Sequence, residues 1–121
     1  MFIKSSNTIT DVAITVPNLT GGTDGRVVYI SGSNTVADAS NTDSAVTLNS
    51  VLIKQGGVYY AAGIVPGFDS LSAGSPYFLA ADGTLISSPP IPTSNTRVLY
   101  IGFAINETDL VFRPGTPITG V

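Results

Sequence analysis

The sequence predicts an all-β domain: a compact β-sandwich or small barrel built from two related β-units, with extended N- and C-terminal arms. Two observations carry that reading. Residues 25–63 are nearly repeated by residues 74–115, and short β-branched and aromatic runs recur between Gly, Pro, Asn and Asp turn signals. The alignment sets Gly25-Arg-Val-Val-Tyr-Ile-Ser-Gly-Ser-Asn-Thr-Val on Gly74-Ser-Pro-Tyr-Phe-Leu-Ala-Ala-Asp-Gly-Thr-Leu, an offset of 74 − 25 = 49. With a three-residue slip placed in the connecting loop, Val46–Gly63 then falls on Val98–Gly115 at 98 − 46 = 52. Identities are few: Gly25/Gly74, Thr35/Thr84, Val46/Val98, Ile53/Ile105 and Gly63/Gly115. The match lies in apolar runs falling on apolar runs and turns on turns.

In chain order, residues 1–24 form an N-terminal arm and a first strand. Asp11–Val16 alternates, with Val12, Ile14 and Val16 on one face, and Pro17 ends it. Thr20-Gly-Gly-Thr-Asp-Gly25 is a long turn signal. The first unit, 25–63, opens with a strand over Arg26–Ser31, turns at Gly32–Thr35 and continues into a short strand around Val36. Residues 38–45 read as a polar loop. Val46–Lys54 reads as a strand, and Gln55-Gly-Gly57 turns it into Val58–Gly63. A helix over Asp43–Leu52 is the rival local reading. It lacks a 3.6-residue apolar face and carries β-branched Val46, Thr47 and Val51.

Residues 64–73 connect the units. The second unit, 74–115, turns at Asp82-Gly83, where both residues tolerate positive φ. Its hairpin runs Arg97–Asn106, turns at Glu107-Thr108 and returns through Leu110–Arg113; the turn windows Ile53–Val58 and Ile105–Leu110 have equal length. Ser88-Pro-Pro-Ile-Pro92 should be extended and lie on the surface, because proline fixes φ and withholds a donor. Residues 116–121 form a polar tail.

At 121 residues, this is one domain with a modest core and no cysteine to staple it. The absence of histidine removes the usual neutral-pH base and the commonest metal ligand. The net charge is −3, and the five bases are scattered, so no footprint for a nucleic-acid backbone appears. Only 11% of residues are charged, which fits a surface buried against copies of the chain or against a partner. No apolar run is long enough to cross a membrane as a helix, and Ser5-Ser-Asn-Thr8 follows Met1–Lys4 where a signal peptide would place its apolar stretch.

Catalytic chemistry is hard to assemble from these residues. Asp24-Gly25 and Asp82-Gly83 lack the spacing of a calcium loop and read as turns. Glu107 and Asp109 flank a turn, whereas a glycosidase pair faces across a cleft at roughly 5–9 Å. No base stands ready to activate a serine. The expectation is a chain with no catalytic residue, no metal and no cofactor. Tyr29, Tyr59, Tyr60, Tyr77, Phe78, Tyr100, Phe103 and Phe112 read as core and cross-strand residues. Ile64, Val65, Phe68 and Ile91 stand in Pro/Gly-rich loops that a small core explains poorly. With Phe2, Ile3 and Lys4 of the arm, they are the candidate partner-binding residues.

Gly25–Ala39, Ala62–Leu79, Asp82–Pro90 and Val98-Leu-Tyr-Ile-Gly-Phe-Ala-Ile105 together resemble a signature of structural β-domains in tailed bacteriophages. That family comprises small capsid decoration or cement proteins and modules of tail fibres. The resemblance spans about residues 25–113 and implies a non-enzymatic virion protein. It implies assembly as a homotrimer and contact with the major capsid protein on the head exterior, with neither nucleic acid nor membrane as partner. A short chain from Met1 without shaft repeats favours the head; a tail-fibre or receptor-binding module recognising a host glycan or protein is the alternative.

Overall fold

The computed structural model describes residues 13–120, and they are all-β. The strands are β1 (Ala13–Thr15), β2 (Thr20–Gly21), β3 (Arg26–Gly32), β4 (Thr35–Asp38), β5 (Val51–Gln55) and β6 (Val58–Val65). They continue with β7 (Pro76–Leu79), β8 (Leu85–Ile86), β9 (Arg97–Val98), β10 (Tyr100–Ala104), β11 (Leu110–Phe112) and β12 (Ile118–Thr119). The main sheet runs β2-β4-β3-β5-β6-β11-β10-β7-β8, with β1 also on β6; β9 and β12 form a separate ladder. This order is nearly a palindrome. The first unit contributes β4-β3-β5-β6 and the second β8-β7-β10-β11, joined where β6 meets β11.

The repeat is visible in the pairing register. Tyr29↔Ala37, Ile30↔Val36 and Tyr29↔Val51 recur as Phe78↔Ile86, Leu79↔Leu85 and Phe78↔Tyr100, each partner displaced by 78 − 29 = 49. Gly25 and Gly74, which open the two units, share a left-handed backbone with φ of 83° and 81°. The three-residue slip lies elsewhere than the alignment places it. Gln55↔Val58 encloses a two-residue turn at Gly56-Gly57, whereas Ala104↔Leu110 encloses five residues, 105–109. The two turn windows are therefore unequal. Ile53 is a core residue while Ile105 stands exposed in a loop, so that identity does not mark equivalent positions.

A bulge then turns one unit over. Opposite β7, strand β10 carries one extra residue: Tyr100 pairs with Phe78, but Gly102 pairs with Tyr77. A one-residue shift sends side chains to the opposite face. Tyr29 packs against the main core. Its counterpart Phe78 does not, and Tyr77 and Leu79 point inward instead. The main core lies between the units, with Val27 and Ile53 from the first meeting Leu79, Leu99, Ile101, Leu110 and Phe112 from the second.

Strand β6 holds the layers together. Tyr60 pairs with Ile53 on one side and Thr15 on the other, and Gly63 with Phe112 and Ala13. Hence β1 occupies one edge of β6, while β5 and β11 share the other. The expected strand over Val46–Lys54 begins only at Val51. Before it, Thr47–Ser50 forms a 3-10 turn. Ser44 starts that turn, its Oγ accepting from Thr47 N at 3.2 Å and its carbonyl from Leu48 N at 3.0 Å. Buried Leu48 then plugs the core, so tertiary packing overrides both the strand and the helix readings.

Candidate interaction surface

The two units treat their outer faces differently. On the first unit, Val28, Val36, Leu52 and Tyr59 form a second apolar cluster, closed over by Val16 and Leu19. Three hydrogen bonds hold that cover: Val16 N donates to Tyr59 O at 2.9 Å, Tyr59 Oη to Gly21 O at 2.8 Å, and Lys54 Nζ to Gly22 O at 3.3 Å. Gly22 fits closely, since a Cβ there would stand 2.7 Å from Val28 Cγ1.

The second unit's outer face has no such cover among the described residues. One cross-strand row runs Ile86–Phe78–Tyr100 and the other Pro76–Phe103–Val111–Ile64. All but exposed Pro76 are half-buried. Phe78 and Tyr100 meet edge to face at 5.8 Å and 72°, and the Arg113 guanidinium lies 5.9 Å from the Phe103 ring centre. Beside these rows is a concavity of about 590 Å³ whose lining includes Ala13, Ile64, Ile105, Asp109 and Val111. Each aromatic is preset by the β10 bulge: without that extra residue, Phe78 would face the core as Tyr29 does.

A second exposed apolar region forms at the β9–β12 ladder. Ile91 is 82% exposed and Ile118 57%. The proline-rich loop carrying Ile91 is held at its end: Thr93 Oγ1 accepts from Asn95 N and Thr96 N, and Thr93 O accepts from Gly120 N at 3.0 Å. Residues 116–120, expected to trail as a tail, thus run back onto their own chain, with Ile118 opposite Val98 and Thr119 opposite Arg97.

The expected partner-binding residues separate on this frame. Ile64 stands in the concavity and Ile91 at the exposed corner. Val65 is a correction: it is fully buried in the main core, on the inward side of β6, and offers nothing to a partner. Phe68 is half-buried and packs against that core, where the connector is tied down by Phe68 N to Thr108 O and Leu71 N to Glu107 O, both 3.1 Å. Phe2, Ile3 and Lys4 lie outside the described residues. Phe78, Tyr100 and Phe103, expected in the core and in cross-strand pairs, stand in the two outer-face rows. Their alternation with Tyr77, Leu79 and Ile101 is apolar on both faces, so no sequence signal separates the two sides.

The turn acids serve the fold. Asp24 Oδ1 accepts from Gly57 N at 2.9 Å, and Asp82 adopts φ 62° with its carbonyl taking Arg26 NH1 at 2.8 Å. Asp109 accepts from Asn106 Nδ2 and Thr108 Oγ1 within its own loop, and Glu107 is exposed. Among the described residues, no three His, Cys, Asp or Glu side chains gather as a metal site, and no helix is long and apolar enough to cross a membrane. Comparisons with protein-family models, with curated proteins and with solved structures each returned no match.

Proposed function

We propose that this chain is a non-enzymatic structural protein of a tailed-phage virion, a decoration protein that binds the outside of the assembled head. The resemblance of residues 25–113 to that family suggests the setting. The observation that carries a binding role is the corner of Ile91 and Ile118, two strongly exposed aliphatic side chains, one on the proline-rich loop and one on β12, whose segments are tied together by the Thr93–Gly120 bond. Anchors on segments tied in this way bind at lower entropic cost. A weakly charged surface, with 11% charged residues in the chain, suits a large interface. Such a protein would act by mass action: binding only the assembled shell, it stabilises that shell by its binding free energy. The symmetric oligomer that the resemblance implies, a homotrimer contacting the major capsid protein, would multiply each contact.

The test is to mix purified protein with undecorated expanded heads, sediment them and image the pellet. Stoichiometric co-sedimentation with density at the symmetry axes is the expected result. Failure to bind heads would sink the reading and direct the search to tail preparations and host-cell adsorption.

A further inference from the structure

A cavity of about 250 Å³ lies where the two units meet the connector. Gly25 comes from the first unit, Tyr77, Thr84 and Leu85 from the second, and the connector supplies residues 68–71. The apolar part is Phe68, Leu71 and Leu85, each half-buried against the main core, together with buried Tyr77. These walls are tied down: Ser72 N donates to the Tyr77 hydroxyl at 2.8 Å, and Phe68 N and Leu71 N are bonded to the 105–109 loop. The polar part is Asp69, Ser70 and Thr84, all exposed.

The charge of this lining is one-sided. Asp69 is its carboxylate, and no lysine or arginine lines the cavity among the described residues. Nor does any described donor meet Asp69; the ion pair among the described residues is Arg26–Asp38. The cations closest to Gly25 along the strands, Arg26 and Lys54, are register partners beside the core pair Val27 and Ile53. Strand alternation sends them to the opposite face. There Arg26 NH1 reaches Asp82 O at 2.8 Å and Lys54 Nζ reaches Gly22 O at 3.3 Å.

We infer that this cavity receives an arginine side chain presented by a partner protein, its stem against Phe68, Leu71 and Leu85 and its guanidinium at Asp69. A long cationic side chain has the matching two-part chemistry, since its methylenes cover apolar surface while its head stays at the water boundary. A purely apolar occupant would desolvate the carboxylate without pairing it. Arginine suits the site better than lysine. Its guanidinium is more weakly hydrated, rests on aromatic rings and grips a carboxylate through two donors. The volume falls below the about 300–1,000 Å³ of most small-molecule sites, which fits one side chain. The inference rests on the binding role proposed above and adds a second contact to it, one whose charge would fix the partner's register.

The test is an NMR titration of the full-length protein with the peptide acetyl-Gly-Arg-Gly-amide, set against its neutral isostere with citrulline in place of arginine. Saturable amide shifts at Gly25, Asp69–Leu71, Thr84 and Leu85 are expected with the arginine peptide. The citrulline peptide should bind about fivefold more weakly, the worth of a partly exposed charge pair. Asp69→Asn should bring the arginine peptide down to the citrulline level. No saturable shift, shifts centred elsewhere, equal binding of the two peptides, or binding indifferent to Asp69→Asn would each overturn the inference. Should Asp69→Asn fail to fold, the comparison of the two peptides on wild type decides. No heads enter this titration, so its failure leaves the co-sedimentation test standing, and a failure to bind heads is read separately.

Discussion

Gly102 stands in β10 with an ordinary backbone, so its lack of a side chain answers a steric demand. A Cβ there would run into the carbonyl of Val111 on the adjacent strand. Backbone cannot step aside as a flexible side chain can. Gly102→Ala should therefore lower stability by about 1–3 kcal/mol, read as a shift in the denaturant midpoint. Asp38 acts differently. Its two oxygens accept from Thr23 N and Thr23 Oγ1, both at 2.8 Å, and pin the turn that carries Gly22 onto Val28. The Arg26 guanidinium, at 3.9 Å and partly exposed, adds little. Asp38→Ala should cost about 1 kcal/mol in the same assay, and Asp38→Asn, which retains an acceptor, less. None of this partnering is legible in the sequence. Asp38 and Thr23 are fifteen positions apart, and the close approach at Gly102 exists only once β10 and β11 have paired.

The two hairpins show how one repeated element acquires two roles. Gly56 and Gly57 take φ of 59° and 78°, the left-handed pair that a two-residue turn requires. Replacing both with alanine should cost about 1–2 kcal/mol each, because Cβ crowds the following carbonyl there. The corresponding loop, 105–109, is longer and holds the connector through Thr108 O and Glu107 O. Substituting Gly-Gly for 105–109 should leave the Ala104↔Leu110 ladder intact. It should also release Phe68 and Leu71, so limited proteolysis within 66–73 becomes several-fold faster while the global unfolding midpoint moves less. The strands, the Asp-Gly turn and the repeated register could be read from residue types. The length of the second hairpin could not: Ile53/Ile105 lines up by identity alone, and only pairing reveals that three residues were inserted there.

At the scale of the molecule, two related units face each other across one core, and the bulge in β10 decides what each exposes. If decoration of heads uses the exposed corner, Ile91→Asp/Ile118→Asp should reduce co-sedimentation at least tenfold while leaving the melting temperature within a few degrees, since neither side chain enters a core. Loss of binding with unchanged folding would place the contact at that corner; undiminished binding would remove it. The sequence by itself determined the all-β class, the duplication, and which residues turn, because β-branched runs, glycines and prolines act through local sterics that each residue carries with it. It also determined that Ile91 would stand on a proline-fixed loop. Tertiary structure alone decided that Val65 is core and Ile64 is surface. It also decided that Phe78 faces out where Tyr29 faces in, and that residues 118–119 return to their own chain. The reason is that a strand apolar on both faces carries no mark of its inner side. A single extra residue opposite β7 sets that choice, and its effect appears only when the strands are paired.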